Sequence, residues 1–421
     1  MTIEYRWLEN PIDPFIKLKD DADLGVPRTR NAGLRAATQC VAANAILAHF
    51  KDAPSVHYSR DNTHYAKRTS WVPDWYSRRN LVRATDALLG AGLIDCQTTK
   101  PSPAAWYRSN FSARPALLQR VAAISIFDFE ELARPSVELR DRRTKQFVSP
   151  ENWLSEDAEA FVTIATDVHE QNDLLMRVRI ELARRYPRTS HGLIAVGPLI
   201  INPLKRRLRR IFLDSCDLGG RWYGGWWQNI PGCARSFIRI NGEATREVDY
   251  SACQLRLAYG VAGFPDPLGG EVDQRRIKRE LYGIAGVERP VAKQAFLIML
   301  NARDQASAEK AVAEWLRDQE IECPNGRLAE ARRIVCAVRD HFPEIGHLFF
   351  SDLGLRLQRF DSDICADVQR AFRAQGIVVL SVHDSFIIAA RHEEALRDAM
   401  MTAFRDGMRC AHAWHAQRAP A

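Results

Sequence analysis

The run "VVLSVHDSFIIAA", Val378 to Ala390, constrains the fold of this chain more than any other stretch. Apolar arms at Val378-Val379-Leu380 and Phe386-Ile387-Ile388 flank a polar tip, Ser381-Val382-His383-Asp384-Ser385. Two β-rich arms joined this way read as a hairpin. A carboxylate between such arms is costly to bury without a partner. Asp384 is therefore either a turn aspartate beside a hydrogen-bonding histidine, or a carboxylate lifted to a sheet surface to meet a divalent cation. The second reading needs a second carboxylate.

"TREVDYSACQLRL" offers one: the pattern runs from a strand, over Asp249, into a helix. Taken alone, Asp249 also fits a helix N-cap at a strand–helix junction. Further on, "ERPVAKQAFLIMLNA" places Arg289 and Lys293 four residues apart, on one helix face. That face is either solvated or turned to an anion. Between residues 217 and 235 glycines and aromatics cluster around Arg221, Gln228 and Arg235. Arg221 and Gln228 fit support of a Gly-rich turn as well as contact with a ligand.

With 421 residues the chain is long enough for two or three domains. A formal net charge of +7 gives a mild bias towards polyanions. The nine cysteines include no Cys-x-x-Cys, so neither a zinc knuckle nor a disulfide framework is indicated and a reducing compartment fits. The N-terminal "MTIEYRWLENPIDPF" carries charge and two prolines where a signal peptide needs an apolar core. No run approaches eighteen apolar residues, so no membrane span is expected and a cytoplasmic location is the default.

The N-terminal part shows helical spacing over about 30–50. A second helix is expected over Ser77 to Leu89, then a glycine stop at Gly90 and Gly92, a strand "LIDC" and a polar hairpin. That is the order of a winged helix-turn-helix, with Arg78, Arg79 and Arg83 near one side of the recognition helix, where phosphates are met. A helical bundle with a solvated basic face fits the same residues. Strands and turns follow over 125–150, then a long helical pattern from Ser155. "NPLKRRLRRIFLDS" reads as a helix whose basic face (Lys205, Arg206, Arg207, Arg209, Arg210) is either solvated or laid on a nucleic-acid backbone.

Taken in order, these segments resemble the family A DNA polymerases and the single-subunit phage and mitochondrial RNA polymerases. "DYSACQLRL" resembles motif A, D-Y-S-x-x-E-L-R. "RPVAKQAFLIMLNA" resembles motif B, with its R-x-x-x-K. "SVHDSF" resembles motif C, V-H-D-E-L in the DNA enzymes and H-D-S-F in the RNA enzymes. Upstream, "DLGGRWY" is similar to an element of the RNA enzymes and "QNIP" to one of the DNA enzymes. The match covers roughly residues 200 to 410.

The resemblance implies an α+β right-hand polymerase: an antiparallel palm sheet, helical fingers and a reduced thumb, with the winged-helix-like domain in front. The expected divisions are 1–124 for the nucleic-acid-binding domain, 125–215 for linker and helical thumb, and 216–421 for palm and fingers. It implies two Mg²⁺ ions, with Mn²⁺ as a substitute, held by Asp249, Asp384 and the Tyr250 carbonyl. Nucleotidyl transfer needs such carboxylates because negative charge grows on the attacking and leaving oxygens. Arg289 and Lys293 would hold the triphosphate, Lys293 protonating the leaving pyrophosphate. Gln254, Leu297 and Asn301 would border the nucleotide, while Arg221, Gln228, Arg235 and His383 would touch the strands. Arg275 and Arg276 reach the triphosphate or are surface charges. The implied partners are DNA and nucleoside triphosphates.

Gln254 stands where the DNA enzymes have a glutamate and the RNA enzymes a glycine. Asn301-Ala302 replaces a Tyr-Gly pair, and Ser385 replaces an acid. The expected activity is a template-directed nucleotidyltransferase without a proofreading exonuclease, a DNA polymerase first. An RNA polymerase or primase with the same palm is the second reading, and a non-catalytic DNA-binding initiator or regulator the third.

Overall fold

Two apolar clusters organise the chain, one drawn from Ile12 to Phe129 with Leu193, the other from Val137 to Ala411. The computed structural model describes residues 12–19, 23–26, 29–51, 53, 55–62, 65, 72–98, 109–120, 129–132, 134–144, 147–148, 152–183, 185–189, 192–269 and 281–417.

The first cluster forms around helix α1 (Ala32–Phe50), which starts where the Asn31 side chain accepts the Leu34 N–H at 2.8 Å. Every residue from Ala37 to Ala48 is buried, the helix being packed on every side, and the polar Thr38 and Asn44 are satisfied by the Leu34 and Cys40 carbonyls. Strands β2 (Val56–Tyr58), β3 (Ile94–Gln97) and β4 (Ser109–Ala113) make an antiparallel sheet in the order β2-β4-β3. Helix α2 (Arg78–Gly90) begins at Ser77, whose hydroxyl accepts the Asn80 N–H, and packs on α1. Strands β1 (Ile16–Leu18) and β5 (Phe129–Glu131) pair beside them. The expected wing, residues 99–108, lies outside the described residues.

In the second cluster, β6 (Val137–Arg140) pairs in parallel with β10 (Arg209–Leu213), which pairs antiparallel with β11 (Ser215–Tyr223). Here the sequence expectation is corrected: the basic segment 205–210 is not a helix but an irregular stretch leading into β10. The cause is Arg210. Its side chain is only 2% exposed, donating to the Gly220 carbonyl and the Ser362 hydroxyl and pairing with Asp363 at 3.0 Å. A buried arginine reads as a surface residue and hides the strand's alternation. Among the described residues of 125–215, the only long helix is α3 (Ser155–Arg177), flanked by short strands.

The largest sheet has five antiparallel strands. Its members are β7 (Ile180–Leu182), β12 (Ile238–Ile240), β13 (Glu243–Asp249), β14 (Leu380–Val382) and β15 (Ser385–Ala389), in the order β14-β15-β13-β12-β7. A separate hairpin joins β8 (Ile194–Val196) and β9 (Leu199–Ile201). Helices α4 (Cys253–Val261), α5 (Arg289–Asn301), α6 (Gln305–Asp318), α7 (Arg327–His341), α8 (Gly354–Arg373) and α9 (Glu393–Ala416) complete this part. α4 and α9 both pack on α8, and α8 lies along β11. Among the described residues no helix is long and apolar enough to cross a membrane.

Candidate active site

Sheet register brings the two aspartates together. Asp249, the last residue of β13, is the cross-strand partner of Ser385, the first residue of β15. One residue on, the Tyr250 N–H donates to the Asp384 carbonyl at 3.0 Å. Cross-strand neighbours stand about 5 Å apart, so two carboxylates distant in sequence flank one strand end.

Both approaches to this point bend through the left-handed region, His383 at φ 56° and Ala252 at φ 53°. Each such turn costs a non-glycine residue about 1 kcal/mol, and strain of this kind concentrates at functional sites. Val382 pairs with Ser385, so His383 and Asp384 are the tip of a tight hairpin. The His383 ring lies edge-on to Tyr223 at 5.7 Å, and its Nδ1 is buried without a hydrogen-bond partner. Burial and then the positive charges of Arg221 and Arg235 pull its pKa down, against Asp384. The imidazole is neutral at neutral pH.

Two carboxylates missed in the sequence join the pair. Asp361, on α8, is 3% exposed and takes Nε and Nη2 of Arg221, both at 3.2 Å. Burial raises its pKa; the charge and hydrogen bond of Arg221 pull it back part of the way, and the charge of Asp249 adds a smaller rise. Asp384 is raised by burial and then by the charge of Asp361. Burial therefore opposes negative charge at the strand end, and the two aspartates oppose each other there. The signal was legible: Leu357, Asp361, Ile364 and Val368 follow the i, i+4, i+7, i+11 stripe, so an aspartate stands in an apolar row. The second is Glu247, two residues before Asp249 and so on the same face of β13. Its carboxylate accepts the Ser385 hydroxyl at 2.8 Å and a two-pronged contact from Arg235 at 2.8–3.0 Å.

The expected strand contacts are mostly engaged inside the protein. Arg221 is committed to Asp361, and Arg235 to Glu247 and the Ile230 carbonyl. Gln228 uses its amide N–H groups on the carbonyls of Trp222 and Ser381 and its oxygen on the Gly224 N–H. These three brace the glycine-rich turn and the carboxylates. Tyr250 is buried, its hydroxyl on the Met400 carbonyl at 2.6 Å.

Gln254 is half-buried in the first turn of α4, five residues beyond Asp249. Arg289 opens α5, and Lys293 is exposed one turn later on the same face. Leu297 is half-buried on that face, while the Asn301 side chain folds back to the Leu297 carbonyl at 2.8 Å. Arg78, Arg79 and Arg83 are exposed on α2, in the other apolar cluster, and are not brought to the carboxylates. Arg275 and Arg276 lie outside the described residues.

Among the described residues, no group of three or more His, Cys, Asp or Glu side chains is close enough to cage a metal ion. Mg²⁺ asks for less: one or two carboxylates, with substrate phosphates and water completing the shell. Two hard oxygen donors at one strand end, with Asp384 disfavoured as an anion by burial and then by the Asp361 charge, fit that requirement. A thiolate- or imidazole-seeking metal they do not fit.

No family model and no curated protein matches the chain. Among solved structures it is similar to the POL domain of Pol1 from M. smegmatis, in complex with DNA primer-template and dNTP. That likeness is 14% identical with a TM-score of 0.27, and it covers 64% of this chain and 55% of that one. A likeness of that size carries no argument.

Proposed function

We propose that the chain is a template-directed nucleotidyltransferase that extends a 3′-OH with nucleoside triphosphates, a compact DNA polymerase of the family A type. The observation that carries this reading is the register that sets Asp249 beside the Asp384 hairpin. The motif A and motif C carboxylates thereby meet at one end of an antiparallel sheet.

Asp249 and Asp384 would hold Mg²⁺, with the Tyr250 carbonyl as a further oxygen. Bound there, the metal supplies charge stabilisation for an in-line displacement at phosphorus. The protein's own residues position and neutralise. Arg289 and Lys293 project from one face of α5, with one turn between them, to take the triphosphate. Lys293, exposed and without a partner among the described residues, is placed to give a proton to the pyrophosphate. Asp361 and Arg221 hold the floor beneath Asp384. His383, kept neutral, offers a ring to the reacting end of a strand without adding charge.

The N-terminal unit, with its β2-β4-β3 sheet and the basic face of α2, is assigned to duplex binding as a winged helix. The ribonucleotide reading retains one support. Asn301 is turned away onto Leu297, so no aromatic ring from that position closes the sugar side of the nucleotide.

Extension of a labelled primer on a DNA template with Mg²⁺ tests both, deoxy- and ribonucleotides being offered separately and Asp384→Ala serving as control. Growth with deoxynucleotides, lost in the variant, is the expected result. Growth with ribonucleotides alone replaces DNA polymerase by RNA polymerase or primase. No growth with either, with or without a primer, makes the protein a binding module and ends the catalytic reading.

A further inference from the structure

A cavity of about 140 Å³ lies away from the carboxylates, lined by Arg134, His169, Asn172, Arg207, Leu208 and Arg209. The backbone here is fixed: Asn172 donates to the Leu208 carbonyl at 2.9 Å and accepts the Leu208 N–H at 2.7 Å. The charges around it do not balance. Asp13 is shared by Arg134 at 2.5 Å and Lys205 at 3.6 Å, and Glu131 stands 4.0 Å from Arg134, so two carboxylates face these cations and Arg207. Glu138 is shared by Arg140 at 2.5 Å and Arg209 at 2.9 Å. Arg207, half-buried, makes no hydrogen bond or close ion pair among the described residues and feels only the longer-range charge of Glu131, while the exposed His169 ring makes none either. Guanidinium groups converge on one hollow only at a repulsive cost, unless an anion shares it.

The cavity also has a direction. Arg209 is the cross-strand partner of Tyr223, and Arg221 lies two residues back along β11 on the same face. The opposite face carries the buried Arg210 and Trp222. Tyr223 meets the His383 ring, and Arg221 sits on Asp361 beneath Asp384. One sheet face therefore runs from the cavity, past an aromatic ring, to the carboxylate pair. Cations alternating with a stacking surface are what a single nucleic-acid strand requires.

We propose that this cavity is a phosphate subsite, taking one backbone phosphate of a single nucleic-acid strand whose end lies at Asp249 and Asp384. The position of the strand's end rests on the polymerase reading; the phosphate site does not.

The test is equilibrium binding of a labelled single-stranded oligonucleotide by the full chain, across a range of salt concentrations. Wild type, Arg207→Ala and Arg207→Lys are compared, with inorganic phosphate and pyrophosphate as separate competitors. Arg207→Ala is expected to bind more weakly and to lower the slope of log K against log salt by about 0.7, the value for one phosphate on a single strand. Arg207→Lys should keep the wild-type slope. An unchanged slope in Arg207→Ala overturns the subsite. Loss of phosphate or pyrophosphate binding in Arg207→Ala, with oligonucleotide binding intact, overturns the strand assignment in favour of a free anion. Because binding is read without catalysis, a wild type that fails to extend primers sinks the polymerase reading and leaves this result standing.

Discussion

At the scale of single residues, the site is a set of carboxylates that repel one another. A carboxyl group whose pKa is raised in the folded state holds its proton more tightly there than in the unfolded chain. Its contribution to stability is full below the unfolded value, about 3.9 for aspartate, and is lost as pH rises through the folded value. Asp384 and Asp361 are both raised, so the metal-free protein gives up stability as pH rises above about 4. Asp384→Asn is expected to raise the melting temperature in chelator-treated buffer at pH 7.5, by about 2–4 °C for each kcal/mol relieved. It should give no such gain near pH 4, and Mg²⁺ should stabilise the wild type but not the variant. Thermal melts at the two pH values, with and without Mg²⁺, check this.

Glu247 makes a separate case. It joins Ser385 to Arg235 on the face that carries Asp249, so it acts by holding neighbours in place. Glu247→Gln is expected to raise the Mg²⁺ concentration needed for half-maximal rate while leaving nucleotide KM close to wild type. A Mg²⁺ titration of primer extension separates the two, and a change in nucleotide KM alone would assign Glu247 elsewhere.

At the scale of elements, α5 and α8 meet where Gly354 faces Asn301. A Cβ on Gly354 would lie 2.0 Å from the Asn301 Oδ1. Gly354→Ala is expected to destabilise by about 1–3 kcal/mol through overpacking. Adding Asn301→Ala should recover most of that loss, a coupling that denaturant unfolding of the two single variants and the double variant measures.

Much of this level was legible from the sequence. The hairpin around Asp384 and the strand-to-helix step at Asp249 announce themselves because apolar period and turn chemistry agree. α2 is legible from its serine cap and glycine stop. What stayed hidden depended on charge in unexpected places. Arg210 is buried on β10, so the basic segment imitated an amphipathic helix. Asp361 and Glu247 look like ordinary surface acids until the stripe of α8 and the face of β13 are drawn. The internal partners of Arg221, Gln228 and Arg235 come from elements distant in sequence, and no local pattern announces them.

At the scale of the whole molecule, the proposed duplex-binding face and the proposed catalytic carboxylates stand on two different apolar clusters. The exposed arginines of α2 belong to one, the carboxylates to the other. Arg79→Glu with Arg83→Glu is expected to weaken duplex binding and flatten its salt dependence by about 0.9 in slope per lost phosphate. Single-nucleotide turnover at saturating DNA should be left unchanged. Asp249→Ala should do the reverse, and gel-shift and single-turnover assays on the same preparations tell them apart.

The central claim is that Asp249 and Asp384 act as one unit at the strand end. Single-turnover incorporation of one nucleotide by Asp249→Ala, Asp384→Ala and the double variant tests it most directly. Each single change should slow the reaction about a thousandfold, several kcal/mol of barrier, and the double variant should be hardly slower than either. Full activity in either single variant would contradict the account, and losses that simply multiply in the double variant would contradict the shared site.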